Sequence, residues 1–198
     1  MKSLLLKITL YSAACLLCIW YVTVLYLSQR PNVSTEYYMH YIAKTLVDWP
    51  GNGGLQYQIG TKLFMGSRAT TNEITPAKNR GRGWLAQEYD GQWADNDAQL
   101  FFIINQSAFT HDLRLVVDAT IKGTTRKVNV LINGMMVGQI NSNGSKNTYE
   151  INIPYTVINK FPIVCVEFKI NDEVVDPELL IHWVSISASR GPNNGSIL

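Results

Sequence analysis

Cysteine is scarce in this sequence, and its positions exclude a domain held together by disulfides. The 198 residues include three cysteines. Cys15 and Cys18 lie in an uncharged N-terminal run, which leaves Cys165 alone in the rest of the chain. A single cysteine forms no intramolecular disulfide, so the domain must be stable through its apolar core. The apolar neighbours of Cys165, residues 163–166, favour a buried thiol over a reactive one.

Familiar catalytic motifs are also missing. The sequence has no His-Glu-x-x-His, no Gly-x-Ser-x-Gly and no glycine-rich phosphate loop. His40, His111 and His182 are far apart and fit no metal-binding spacing. His182 stands between Ile181 and Trp183 in an alternating run, which predicts that it faces away from Trp183. These absences favour a non-catalytic protein without a cofactor, although paired carboxylates that cleave a glycosidic bond stay an alternative.

Charge is absent from residues 8–29, a run of 22 residues. As a helix this run would extend roughly 33 Å, close to the thickness of the bilayer hydrocarbon. A cleaved signal peptide has a shorter apolar region followed by small residues, whereas Tyr26 occupies that place here. We expect an uncleaved anchor over residues 8–27, in contact with membrane lipid. The alternatives are a cleaved signal peptide and a lipoprotein processed at Cys15.

The charges that flank this run set its expected orientation. Lys2 and Lys7 precede the run, which places the N-terminus in the cytoplasm and exports the remainder. Beyond Arg30 the chain carries 14 basic and 15 acidic residues. No basic stripe with interleaved aromatics remains, so nucleic acid is not an expected partner. The predicted location is the inner (cytoplasmic) membrane, single-pass, with a periplasmic or extracellular C-terminal domain.

The chain is predicted to have four segments. Residues 1–30 form the cytoplasmic tip and anchor, 31–54 a juxtamembrane helix and hinge, 55–190 a β-domain, and 191–198 a flexible tail. Ser34 or Thr35 is expected to cap the helix, which would run to about Trp49 before a glycine-rich turn. Its apolar positions have helical spacing, so one face would pack on the domain or lie on the membrane surface.

From residue 55 onward the apolar pattern changes to a period of two, which is typical of half-buried strands. The runs cover residues 55–59, 100–104, 113–121, 128–132, 136–140, 148–153, 163–170 and 180–187. Asn133-Gly134 between two runs is a strong hairpin signal. The pattern predicts an all-β fold, a jelly-roll-like β-sandwich of about eight strands.

Aromatic, acidic and glycine residues are concentrated in residues 81–94. Aromatic rings beside fixed polar groups are typical of a glycan-binding surface. The candidate ligand-binding residues are Trp84, Glu88, Tyr89, Asp90, Gln92 and Trp93. In the other interpretation, both tryptophans plug the sandwich and Glu88 fastens a loop. We expect Trp93 to be structural and Trp84, with Tyr89, to be the better ligand candidate.

An oxygen-rich cluster follows the same segment. Asp90, Asp95 and Asp97, together with Asn96, form a weak candidate site for Ca²⁺. The cluster lacks the alternating ligands and central glycine of a helix-loop-helix calcium site. A solvated acidic loop is the alternative interpretation.

The string Gly83-Trp84-x-x-x-Glu88-x-x-Gly91-x-Trp93-Ala94 resembles a pattern in one bacterial family. The family is the membrane phosphoglycerol transferases of osmoregulated periplasmic glucan synthesis, and the pattern belongs to their C-terminal β-domain. Related domains follow some envelope glycosyltransferases. The resemblance covers about residues 55–190. It implies an envelope location and a glycan-related binding role, but no activity, because the catalytic residues of those transferases have no counterparts in these 198 residues.

The expected function is therefore that of a membrane-anchored accessory module of the cell envelope. Its expected partner is an envelope glycan, or the membrane glycosyltransferase or other enzyme that makes or modifies it. Two alternatives remain: a protein–protein interaction or assembly subunit of an envelope complex, and a small glycan-modifying enzyme.

Overall fold

The computed structural model describes residues 2–29, 32–67, 76–105, 109–122, 127–141, 144–170 and 179–189. The chain divides into two compact units, Met1–Ser34 and Thr35–Leu198. Most of the segment predicted as a separate juxtamembrane helix and hinge, residues 35–54, therefore belongs to the larger unit. The predicted tail, residues 191–198, lies outside the described residues.

The first unit contains one helix, α1 (Lys2–Ser28). Its segment Leu6–Ser28 has the length and composition of a membrane span, and a signal sequence can have the same properties. Three hydroxyl groups in this segment donate to carbonyl groups of the preceding turn. The bonds run from Ser12 to Ile8 at 2.9 Å, from Thr23 to Ile19 at 2.8 Å and from Ser28 to Leu25 at 2.8 Å. These bonds satisfy the three hydroxyl protons within the helix itself.

The second unit is a β-sandwich with a short helical segment at its start. The helical elements are α2 (Thr35–Tyr37), a π-helical turn (Tyr38–Ile42), a 3-10 turn (Pro76–Asn79) and α3 (Tyr155–Ile158). The strands are β1 (Gln56–Tyr57), β2 (Lys62–Phe64), β3 (Trp84–Gln87), β4 (Gln92–Ala94), β5 (Asp97–Ile104), β6 (Leu113–Ile121), β7 (Lys127–Ile132), β8 (Met135–Asn141), β9 (Lys146–Ile153), β10 (Ile163–Ile170) and β11 (Leu179–Ala188). The predicted all-β sandwich is confirmed, with eleven strands in the described part of the chain.

The strands form two sheets. The first sheet has the order β1-β5-β10-β7-β8, and the second has the order β3-β4-β11-β6-β9, with β2 also paired to β11. β1 is parallel to β5, and the other pairs are antiparallel. Neighbours that are distant in sequence, such as β5 beside β10, give the crossed connections of a jelly-roll-like sandwich.

The core lies between the two sheets and follows the period of two along each strand. In β10 the side chains of Val164, Val166 and Phe168 are buried in this core. Cys165 lies between them and therefore points to the opposite, outer face of the first sheet. Burial of the Cys165 thiol, reinforced by the charge of Glu167, raises its pKa to about 12. The thiol is thus protonated at neutral pH, which fits an unreactive cysteine.

Residues 35–54 pack on that outer face of the first sheet. Met39 and Leu46 form a second, smaller apolar cluster with Leu55 and Phe101. The buried Glu36 carboxylate accepts a hydrogen bond from the backbone N–H of Gly53 at 3.0 Å. The glycine-rich turn is therefore fastened to the first helical turn of the domain.

The prediction of a helix that continues to about Trp49 is wrong beyond Ile42. Lys44 has a left-handed backbone with a φ of +52°. The backbone N–H groups of Thr45 and Leu46 both donate to the carbonyl of Met39, at 2.8 and 3.4 Å. The chain thereby turns back and brings Leu46 onto the sheet. The apolar spacing resembled a helix because residues on both sides of this turn pack on the same surface.

Candidate functional site

The predicted ligand-binding segment forms the β3–β4 hairpin at the edge of the second sheet. Gly83, just before β3, has a φ of +79°. A Cβ there would lie 2.4 Å from the carbonyl oxygen of Asp97, so a larger residue does not fit. At the hairpin tip, a Cβ on Gly91 would lie 2.7 Å from the carbonyl oxygen of Ile181 in β11. These glycines allow the hairpin to lie close to its neighbours.

The two tryptophans of this segment are packed into the domain. Trp84 is half-buried against the main core, and its Nε1 donates to the carbonyl of Gln99 at 2.7 Å. Trp93 is 9% exposed. Its Nε1 donates to Oε1 of Glu88, and Nζ of Lys122 lies 4.2 Å from the ring centroid. Most residues of the Gly83–Ala94 motif thus fix the hairpin or pack it against neighbouring strands.

The tip of the hairpin presents the remaining candidates differently. Tyr89 is 68% exposed, and the side chain of Asp90 is 52% exposed. Gln92, in contrast, is buried, and its Nε2 donates to the carbonyl of Leu85 at 2.9 Å. A buried amide does not reach a ligand at the surface. Of the six predicted residues, the tip therefore exposes Glu88, Tyr89 and Asp90, whereas Trp84, Gln92 and Trp93 lie deeper.

A β-bulge in β11 adds residues that the sequence analysis did not find. The register of β11 against β6 shifts between Ile181 and Trp183. Ile181 and Val184 both enter the core, and His182 and Trp183 lie between them outside it. The prediction that His182 faces away from Trp183 is wrong, because the extra residue of the bulge interrupts the alternation. Bulges of this kind redirect side chains and are frequent beside functional sites.

His182 connects the bulge to the hairpin tip. Its Nδ1 lies 2.8 Å from the carbonyl oxygen of Asp90 and 3.4 Å from Oδ2 of the same residue. Its Nε2 lies 3.0 Å from Oγ1 of Thr120 on β6. Because a carbonyl oxygen only accepts, Nδ1 carries the proton that it donates to Asp90. In the neutral ring Nε2 then accepts from the Thr120 hydroxyl.

The order Asp90–His182–Thr120 is that of a carboxylate–imidazole–hydroxyl relay, but its geometry fits a structural brace. A nucleophilic hydroxyl requires an accessible base and donors that stabilise an oxyanion. The ring of His182 is 5% exposed, and its Nδ1 is closer to the backbone of Asp90 than to the carboxylate. Thr120 is paired with strands on both sides. The contacts of His182 with Asp90 and Thr120 therefore act as a brace that fixes the hairpin tip to β11.

Aromatic, cationic and hydroxyl groups lie on the same outer face of the second sheet as this brace. Nζ of Lys62 lies 4.0 Å from the ring centroid of Trp183. Nζ of Lys146 lies 3.3 Å from Oδ1 of Asp118, whose Oδ2 accepts from the hydroxyl of Thr148 at 3.4 Å. We term the following residues the bulge site: Tyr89, Asp90, Thr120, His182 and Trp183. The sequence signal for it is the odd spacing of core residues from Ile181 to Val184.

The three carboxylates of the weak calcium candidate are not brought together. Asp90 precedes β4 and Asp95 follows it, so the strand separates them by roughly 10 Å or more. Oδ1 of Asp95 instead accepts from the N–H of Asn96 at 2.8 Å. In the described part of the chain, no group of three or more His, Cys, Asp or Glu side chains is arranged to hold a metal ion.

The chain is similar to several solved structures, with low sequence identity and low TM-scores. No protein-family model and no curated protein sequence matches the chain. Among solved structures, the carbohydrate-binding module CBM36 in complex with calcium and xylotriose is 14% identical, with a TM-score of 0.40, over 53% of this chain and 87% of that one. CBM35 from Paenibacillus barcinonensis is 11% identical, with a TM-score of 0.34, over 67% and 92%. A ruminal GH26 endo-β-1,4-mannanase is 7% identical, with a TM-score of 0.42, over 70% and 28%. With TM-scores below 0.5, these similarities carry no argument about ligand or activity.

Proposed function

We propose that this chain is a membrane-anchored, non-catalytic accessory module of the bacterial cell envelope. Residues 8–27 would hold it in the cytoplasmic membrane, with the β-domain periplasmic or extracellular. Its partner would be an envelope glycan, or the enzyme that makes or modifies that glycan. The apolar segment of α1 supports the anchor. The resemblance of residues 83–94 to the β-domain of phosphoglycerol transferases supports the envelope setting.

The exposed ring of Tyr89 on a braced hairpin tip carries the glycan-binding part of the proposal. Sugar rings stack on aromatic faces, and their hydroxyl groups bind polar groups held at fixed positions. Tyr89 offers the exposed face, and the neighbouring Asp90 is held by His182. Trp183, half-buried beneath the ammonium group of Lys62, lies next to His182 in the bulge of β11. A site braced in this way is preorganised and loses little entropy on binding.

Substitution of Tyr89 tests this proposal directly. The full chain in nanodiscs would be titrated with oligosaccharides from bacterial envelope polysaccharides. Tyr89→Ala is expected to weaken binding about tenfold or more, which corresponds to ~1.4 kcal/mol or more. The melting temperature should be unchanged because the ring is 68% exposed. Met136→Ala, which removes a 59% exposed side chain from β8, is the matched control and should bind as the wild type does.

The result also separates the glycan from a protein partner. If the folded wild-type chain binds none of the oligosaccharides, the glycan-binding proposal is refuted. If it binds them but Tyr89→Ala and Trp183→Ala bind equally well, the ligand lies elsewhere and the bulge site is refuted as its location. A photo-crosslinker at position 89 that captures an envelope enzyme in cells would support the enzyme as the partner.

A further inference from the structure

An exposed aromatic surface lies at the beginning of the β-domain. We term it the aromatic patch, and it consists of Tyr37, Tyr38, Tyr41, Ile42, Val47 and Trp49. Each of these side chains is between 37% and 59% exposed. Ring centroids are 4.7 Å apart between Tyr37 and Tyr41, and 5.4 Å apart between Tyr41 and Trp49. Exposed apolar side chains that are concentrated in one short segment, three of them with rings in contact, are typical of an interaction surface.

The inner side of the same segment is fastened to the domain. Met39 and Leu46 are buried in the smaller apolar cluster. In addition, the N–H of Val47 donates to the carbonyl of Arg80 at 3.1 Å. The guanidinium of Arg80 in turn pairs with Asp48 at 2.8 Å. The segment that carries the aromatic patch is therefore held in place by the domain. The carboxylates of Glu36 and Asp48 are both paired in these contacts, and the imidazole of His40 lies 4.6 Å from the ring of Tyr41 in the patch.

The length of the connecting chain limits where the patch can lie. The apolar segment of α1 ends at Ser28, and the domain begins at Thr35. Seven residues lead from Ser28 to Thr35, and a chain of that length extends at most about 25 Å. Tyrosine and tryptophan are enriched at membrane–water interfaces, where the ring is apolar and its polar atom remains hydrated.

We infer that the aromatic patch docks on the headgroup interface of the membrane that α1 enters. This inference rests on the proposed membrane anchor. The segment that carries the patch covers the outer face of the first sheet, where Met39 and Leu46 pack with Phe101. The bulge site lies on the outer face of the second sheet. Docking through the aromatic patch therefore turns the bulge site away from the lipid and toward the space in which a glycan lies.

Spin labels on the full chain test this orientation in vesicles of phosphatidylethanolamine and phosphatidylglycerol. Two reporters, Val47→Cys and Tyr38→Cys, lie in the aromatic patch. Glu150→Cys on β9 is the matched control, because the Glu150 side chain is 58% exposed and Val47 is 59% exposed. These three variants are made in a background in which the native cysteines are replaced by alanine. The native Cys18, retained alone, reports on the anchor.

Accessibility to oxygen and to a water-soluble nickel chelate gives the depth of each label. The label at Cys18 is expected to exclude nickel, and the labels at positions 38 and 47 should be several-fold less accessible to nickel than the label at position 150. Tyr41→Ser with Trp49→Ser should raise nickel access at position 47. Equal access at positions 47 and 150, with Cys18 protected, overturns the docking but leaves the anchor. Nickel access at Cys18 overturns the anchor and the docking together.

Discussion

Trp93 and Trp84 are held by contacts from different parts of the fold. Trp93 lies on the outer face of the second sheet, where Glu88 accepts its indole N–H and Lys122 covers its ring. Trp84 reaches toward the first sheet, where the carbonyl of Gln99 accepts its indole N–H. Both side chains connect the short hairpin to the remainder of the sandwich. Among the described residues of this hairpin, Tyr89 is the only aromatic residue that is mostly exposed, at 68%.

We predict that Trp93→Ala destabilises the domain by about 3–5 kcal/mol, the usual cost of truncating a buried aromatic side chain. Trp84→Ala should also destabilise it, because the ring packs on the main core and its N–H is bonded. Tyr89→Ala is the control and should unfold at the wild-type urea concentration. A Trp84→Ala variant with wild-type stability and lost glycan binding would contradict the packing role and return Trp84 to the ligand site.

At the scale of elements, the long strands were predictable and the short ones were not. The predicted bounds of β6 and β10 match the structure at both ends, since eight or nine residues show the period of two clearly. β2, β3 and β4 have three or four residues each, too few for a periodic signal. They are strands because β11 or a hairpin partner supplies their hydrogen bonds.

The candidate site was only partly predictable for the same reason. Tyr89 and Asp90 stand out in the sequence because aromatic and acidic residues are concentrated around them. Thr120, His182 and Trp183 lie in ordinary strand sequences, and long-range pairing brings them to the hairpin tip. The bulge left a trace in the sequence as an odd spacing between core residues. Its meaning depends on the register against β6, which a single strand does not reveal.

The hairpin depends on Gly91 for its contact with β11, and this dependence is testable. Gly91→Ala is expected to cost about 1–3 kcal/mol, as overpacking usually does, because the new Cβ meets the backbone of Ile181. It should also displace Asp90 from His182, which imidazole NMR resonances would report. Gly134→Ala is the matched control: its φ of +80° makes alanine strained, but a Cβ there has no neighbour within 4 Å.

Gly91→Ala and Gly134→Ala should therefore differ in their effect on the His182 environment. Gly134→Ala is expected to lower the stability by about 1 kcal/mol without moving the His182 resonances. Gly91→Ala should change both the stability and the resonances. Identical His182 spectra in Gly91→Ala and the wild type would show that the hairpin tip is not held by this contact.

At the scale of the whole molecule, the membrane topology decides whether the bulge site meets an envelope glycan at all. Lys2 and Lys7 precede the apolar segment, and lysine on that side favours a cytoplasmic N-terminus. α1 places no charged residue between Leu6 and Ser28 apart from Lys7 near its start. An uncleaved anchor keeps the domain on the membrane, whereas a cleaved signal sequence releases it. Orientation and cleavage therefore require separate measurements.

We predict that Glu150→Cys, in the cysteine-free background, reacts with a membrane-impermeant maleimide in intact spheroplasts, because β9 would lie in the exported domain of the proposed topology. Ser3→Cys should react only after lysis, since the N-terminus would be cytoplasmic. The full-length chain should stay in the membrane pellet after carbonate extraction. A shortened, carbonate-soluble product would establish a cleaved signal sequence, and maleimide labelling of position 3 without labelling of position 150 would reverse the orientation. The first result would remove the membrane-docked geometry, whereas the second would leave the anchor in place and separate the bulge site from any exported glycan.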